Sequence, residues 1–222
     1  MTGEDVKLPF NPLRSTLYSA QDLFAEFSVS DSSTYGICAD IQIYSYFVRY
    51  GKNPTNKSAA STLEALHDNS ISLGVQKLLT QYPRAVAIMG GHKMVRGSDA
   101  YKATALLAYA LARNGILVAS GGGPGAMEAT HLGALFSKQS PKDLKSAITS
   151  LTSHPTLPQE AITLVNPDGT INPEIAKALH EWFSPTMSIL AQFASNAEAG
   201  VNLSVPNECP DAEIRAHAEY SC

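Results

Sequence analysis

The chain has 222 residues, 44% of them hydrophobic, and a formal net charge of −4 from 16 Lys and Arg against 20 Asp and Glu. That composition describes a globular protein long enough to bury a full core. It offers no broad basic surface for nucleic acid or anionic membrane, and no apolar run approaches the roughly 20 residues a transmembrane helix needs.

The N-terminus, MTGEDVKLPFNPLR, is acidic and lacks an apolar core, so it does not read as a secretory signal. Apolar spacing then predicts a short amphipathic helix over Leu17–Phe27 and a second over Ala39–Tyr50, where Ile41, Tyr44, Phe47 and Val48 share a face. GKNPTNKSAAS, residues 51–61, reads as an exposed linker. Ser61 is expected to cap a helix through Leu63, Leu66 and His67, with a separate helix from Ser72 to Gln81. These elements make residues 1–82 a mainly helical N-terminal extension.

After Pro83 the pattern changes. Ala85–Met89 is a continuous apolar run of the kind buried on both faces of a parallel sheet, ended by Gly90 and Gly91. Ser98 caps the next predicted helix, which Gly115 stops, and a strand follows over Ile116–Ala119. Four glycines and a proline, Gly121 to Gly125, lead into a helix from Ala126 to Phe136. Strand, loop, helix, strand, glycine loop, helix is a βαβα unit. Beyond Ser137 the chain is polar and Pro-interrupted with one short helix. Further helices are expected over Pro173–Phe183 and Pro185–Ala197, and a last strand over Gly200–Val205. The fold class is therefore α/β, a Rossmann-like parallel sheet flanked by helices over residues 83–206, with an atypical tail at 207–222. Cys38, Cys209 and Cys222 form no CxxC pair, which argues against a disulfide framework or a zinc site and suits a reducing, cytoplasmic setting.

In an open parallel sheet ligands lie beyond the carboxyl ends of the strands, and here two such ends open into glycine loops. Glycines let the backbone approach an anion, and the first amides of the following helix point at it with the positive end of the helix dipole behind them. The candidate phosphate or nucleotide site is Gly90, Gly91, His92 and Arg96 from the first loop, with Lys93 beside them. Ser120, Gly121, Gly122, Gly123, Gly125, Ala126 and Met127 come from the second. The GxGxxG spacing is not met and no GxxxxGK[ST] occurs, which leaves a mononucleotide or sugar phosphate. Glu128, in the first helical turn, is the candidate catalytic carboxylate. A carboxylate beside a phosphate repels it, so Glu128 is expected to point away from the phosphate, towards ribose hydroxyls or a neighbouring subunit. Thr130 and His131 are read as helix-packing residues.

MGGHKMVRG (Met89–Gly97), the helix containing Tyr101, and LVASGGGPGAMEATHLGA (Leu117–Ala134) together resemble the LONELY GUY or "lysine decarboxylase" family, especially its bacterial nucleotide 5′-monophosphate nucleosidase branch. The match covers Arg84–Ser137, with a weaker likeness on to Val205. The resemblance implies hydrolysis of the N-glycosidic bond of nucleoside 5′-monophosphates to free base and ribose 5-phosphate. It also implies no cofactor or metal, a nucleoside monophosphate or ribose 5-phosphate as ligand, and a homo-oligomer. The family's second signature, PGGxGTxxE, does not occur in this sequence. The strand that precedes it in relatives corresponds to Val201–Val205, so the expectation is a member lacking the later strands. Two other readings are a non-catalytic nucleotide or cofactor-carrier module on the same fold, and a DNA-processing single-strand-binding protein, against which the acidic balance counts.

Overall fold

Pro83 ends one helix and the apolar run after it starts the sheet, and this punctuation governs the architecture. The structure, a computed structural model, describes residues 8–51, 58–193 and 200–204. In chain order it contains α1 (Ala20–Leu23), α2 (Ala39–Tyr50), α3 (Ser58–Gln81), β1 (Ala85–Ile88), α4 (Asp99–Arg113), β2 (Leu117–Ser120), α5 (Ala126–Leu135), α6 (Pro141–Leu151), α7 (Pro173–Leu190) and β3 (Asn202–Ser204). Short 3-10 turns occupy Ser32–Ile37, Phe136–Lys138, Gln159–Thr163 and Ala191–Phe193. The result is a mixed α/β chain with a small parallel sheet in the order β1-β2-β3, in which Ile88 pairs with Ser120 and Ser120 with Ser204.

Local chemistry explains the elements that match expectation. Ser98 Oγ accepts from Tyr101 N at 3.2 Å and starts α4, and Gly115, at φ +70°, follows its end. Four helical readings need correction. The first helix is only Ala20–Leu23, closed by a capping box in which Ser19 and Asp22 bond each other's backbone N–H. Ser61 is not a cap, because one helix runs unbroken from Ser58 to Gln81. Ser70 and Ser72, which read as a break, turn their hydroxyls back onto Leu66 O and Asp68 O and leave the backbone ladder intact. The region after Ser137 is more ordered than its polarity suggests, since Ser140 and Asp143 form a second capping box with Pro141 at the first helical position.

The fourth correction concerns Pro185, which lies inside α7 instead of separating two helices. Proline removes the N–H that would bond Glu181 O and crowds the preceding turn. The helix runs through it to Leu190, and the adjacent Trp182 O accepts from the Arg96 guanidinium at 2.9 Å. The expected extension of that helix to Ala197 and the end of the last strand at Val205 lie outside the described residues, as do the tail, Cys209 and Cys222.

The sheet's helix-facing side is a small cluster of Ala108, Val118 and Ala134 with Ile88 and Leu111 against it. The larger core joins α4, α5, α6 and α7 to the N-terminal segment through Leu132, Leu144, Leu179 and Phe183, and Phe27 stacks on His180 at 4.7 Å. Gly133 lies where α5 meets α4, so close that a Cβ there would sit 2.0 Å from Ala105 O. The strand Ala85–Ile88 is not buried on both faces as its composition suggests. Among the described residues it pairs only with β2, and Val86 and Met89 are 37% and 59% exposed. An apolar run becomes a buried strand only if elements pack over both faces, and among the described residues β1 lies at the edge of the sheet.

Candidate functional site

The pairing of Ile88 with Ser120 brings the ends of β1 and β2 to one level, and Ser120 Oγ donates to Ile88 O at 2.5 Å. The two glycine loops therefore leave the same end of the sheet. They pack backbone on backbone: Gly91 O accepts from Met94 N at 3.0 Å and from Ala126 N, the first amide of α5, at 3.1 Å. Gly125, the N-cap of α5, has φ +74°, and a Cβ there would lie 2.3 Å from Gly91 O and 3.0 Å from His92 O. Only glycine meets both the positive φ and that approach.

Gly90, Gly91, His92 and Lys93 are exposed on the rim, whereas Ser120, Gly121, Gly122, Gly123, Gly125, Ala126 and Met127 are buried beneath it. The structure thus brings together every glycine that the sequence placed at the site. The charged candidates divide: His92 and Lys93 face solvent, while Arg96 and Glu128 face each other inside the protein.

Arg96 is 3% exposed and Glu128 0%. Arg96 Nε donates to both Glu128 oxygens at 3.1 and 2.8 Å, and its two terminal nitrogens donate to Glu128 Oε1 (2.5 Å), Thr186 Oγ1 (3.2 Å), His154 O (3.1 Å) and Trp182 O (2.9 Å). All five guanidinium N–H groups are engaged, and the plane lies 3.9 Å over the Trp182 ring. Tyr101 Oη donates to Glu128 Oε2 at 3.0 Å. Arg96 is therefore a clamp that joins the first loop to α5 and α7, and it leaves no donor for a phosphate. Glu128 meets Arg96 from the first loop and faces neither the rim nor ribose hydroxyls or a neighbouring subunit. It points into the core, where neither ribose nor water reaches it. Sequence reasoning did not find Trp182, Thr186 or the His154 carbonyl, which only the fold brings to Arg96. The Arg96–Glu128 pair itself has a signal: opposite charges in the loop after β1 and in the first turn of the helix after β2.

His131 is also buried, with Nε2 3.2 Å from Gly121 O and Nδ1 2.9 Å from the side-chain amide of Asn202 on β3. Burial pushes its pKa down from 6.5 to about 4, against the smaller opposing pull of the Gly121 carbonyl, the Asn202 side chain and the Glu128 charge. The native imidazole is neutral while the unfolded one titrates normally. Between pH 6.5 and about 4 the unfolded chain therefore takes up a proton that the native chain does not. Stability is full above the unfolded value and falls as pH drops through this window, by on the order of 3 kcal/mol. Urea titrations at pH 7.5, 6, 5 and 4 check this: the wild type should lose stability stepwise and His131→Gln should lose less, whereas parallel profiles for the two would contradict it.

No helix among the described residues is long and apolar enough to cross a membrane, and none of their His, Cys, Asp and Glu side chains form a group of three that could hold a metal ion. Comparison of the chain with protein-family models, curated proteins and solved structures found no match.

Proposed function

We propose that this protein is a LONELY GUY-like, Rossmann-type nucleotide-binding protein that takes the phosphate of a nucleoside 5′-monophosphate where β1 and β2 end. The observation that carries the reading is the stitching of the two glycine loops, Gly91 O to Ala126 N, at the carboxyl ends of adjacent parallel strands. The first turn of α5 is buried beneath that junction with its first amide bonded to Gly91 O, and His92 and Lys93 stand exposed at its rim. The phosphate would be met by backbone amides and one or two rim cations, without Arg96.

Cleavage of the N-glycosidic bond needs a carboxylate near the ribosyl C1′, to stabilise its developing positive charge or to activate water. Glu128 does not serve, since its charge is already matched by Arg96 and it is sealed from the loops. The reading favoured here is binding without hydrolysis by this chain's own Glu128. Catalysis would require another carboxylate at the rim.

A ligand at about 100 times its Kd stabilises a protein by ~2.7 kcal/mol, roughly 5–10 °C in Tm for a chain of this size. Purine and pyrimidine monophosphates and ribose 5-phosphate are expected to raise Tm by that order, and the corresponding nucleosides are not. Gly123→Asp, which sets a carboxylate in the second loop, should abolish the shift. Chromatography of the same mixtures should show no free base. Equal shifts from nucleosides and monophosphates would overturn the phosphate reading, and base release lost in Glu128→Gln but kept in Glu128→Asp would overturn the exclusion of Glu128.

A further inference from the structure

We infer that His131, oriented by Asn202, is a positioning residue that fixes the first peptide of the glycine loop by donating from Nε2 to Gly121 O. The inference rests on the phosphate-binding reading of that loop and adds to it a residue which touches no ligand.

Three observations carry it. First, His131 comes from the second turn of α5 and Asn202 from β3, while Gly121 is the first residue beyond β2, so the three join both elements that flank the loop. Second, His131 and Asn202 are both 0% exposed, which makes the arrangement independent of solvent. Third, Asn202 Nδ2 has no partner among the described residues, although Oδ1 lies 2.9 Å from His131 Nδ1.

These facts fix the proton positions. A neutral imidazole has one N–H, and Gly121 O can only accept, so the proton belongs on Nε2. Nδ1 must then accept, and the Asn202 amide, turned so that Nδ2 faces it, is a donor within reach. That orientation also gives the orphaned Nδ2 a partner. The alternative tautomer sets two acceptors against each other 3.2 Å apart. A run of three glycines has more backbone freedom to lose than any other sequence, and an anion site made of peptide N–H groups is only as good as the orientation of those peptides. Holding Gly121 O inward directs the N–H of the same peptide, that of Gly122, away from His131.

The test uses the whole chain with ribose 5-phosphate as probe, titrated calorimetrically into the wild type, His131→Leu, His131→Asn and His131→Gln. Glutamine places an amide donor near the position of Nε2, whereas asparagine reaches only the position of Nδ1. Binding is expected to weaken at least tenfold in the leucine and asparagine variants and to stay within threefold in the glutamine variant. Amide exchange at Gly121, Gly122, Gly123 and Gly125 should accelerate at least tenfold in the first two and not in the third. Equal behaviour of the leucine and glutamine variants would overturn the inference. Should the variants fail to fold, the wild type still decides it, because nitrogen-15 NMR must show the Nε2–H tautomer and an Nδ1–H tautomer contradicts it. Should the wild type not bind ribose 5-phosphate, the phosphate reading falls, and the tautomer and loop exchange judge the positioning role alone.

Discussion

Replacing Arg96 with alanine is expected to cost about 3–5 kcal/mol of folding stability, a large share of the 5–15 kcal/mol typical of a domain. The loss does not come from the net strength of the ion pair, because the desolvation of Arg96 and Glu128 offsets most of their attraction. It comes from what remains: a fully buried carboxylate with no counter-charge, two backbone carbonyls, His154 O and Trp182 O, that have lost their bonds to the guanidinium, and an indole face without its cation. Arg96→Lys should recover little, since an ammonium cannot reproduce a planar fork that meets Glu128, Thr186 and both carbonyls. The double change Arg96→Met with Glu128→Leu should be more stable than Arg96→Ala alone, because it removes the buried charge together with its partner. Urea unfolding measures all of these. A loss below about 1 kcal/mol in Arg96→Ala, accompanied by weaker nucleotide binding, would return Arg96 to the phosphate site.

Gly125→Ala is the second change of large effect. Its φ of +74° costs an L-residue roughly 1–2 kcal/mol. The new methyl also meets Gly91 O at 2.3 Å, a backbone atom that cannot swing aside as a flexible side chain would. Overpacking of this kind adds about 1–3 kcal/mol, so a total near 3 kcal/mol is expected. The strain relaxes by parting the loops and breaking the bond from Ala126 N to Gly91 O. The protein should therefore lose its response to monophosphates at temperatures where it is still folded. Far-UV circular dichroism and thermal melting with and without ribose 5-phosphate separate the two effects. A variant that binds as well as the wild type would show that the loop junction is not part of the site.

Much of the fold is legible where it depends on nearby residues. The limits of α2, α4 and α5 follow from apolar spacing and from Ser98, Gly115 and Gly125, and β1 and β2 fall within a residue of where their apolar runs place them. Reading fails where a distant group decides. Pro185 looks like a helix break, yet α7 runs through it with Trp182, Phe183 and Thr186 buried against distant elements. Ala85–Ile88 looks buried because its composition cannot say whether a neighbour covers its outer edge. The Ser140–Asp143 capping box was present in the sequence and was a missed local signal, not a tertiary effect.

The site divides the same way. Glycines announce themselves because a close backbone approach has no other solution, so both loops were found. A charge announces only its sign. Arg96 and Glu128 carry the signs expected of a phosphate ligand and a catalytic acid, yet with opposite signs and adjacent starting points they satisfy each other. The first-turn position of Glu128 suggests ribose hydroxyls or a neighbouring subunit, yet it faces neither, because the Arg96 guanidinium meets it inside the core. His131 reads as a packing residue because a lone histidine on a helix usually is one. Its bond to Gly121 O depends on β3 bringing Asn202 to its other side, which local spacing does not reveal.

The most direct measurement is a titration of the nitrogen-15-labelled chain with ribose 5-phosphate, followed by backbone amide shifts. Saturable shifts confined to Gly90–Lys93 and Gly121–Met127, and absent with unphosphorylated ribose, are the predicted result. Shifts centred elsewhere, for instance around the open 460 Å³ pocket lined by Leu8, Asp22, Glu26 and Gln42, or no shifts at millimolar ligand, would contradict it.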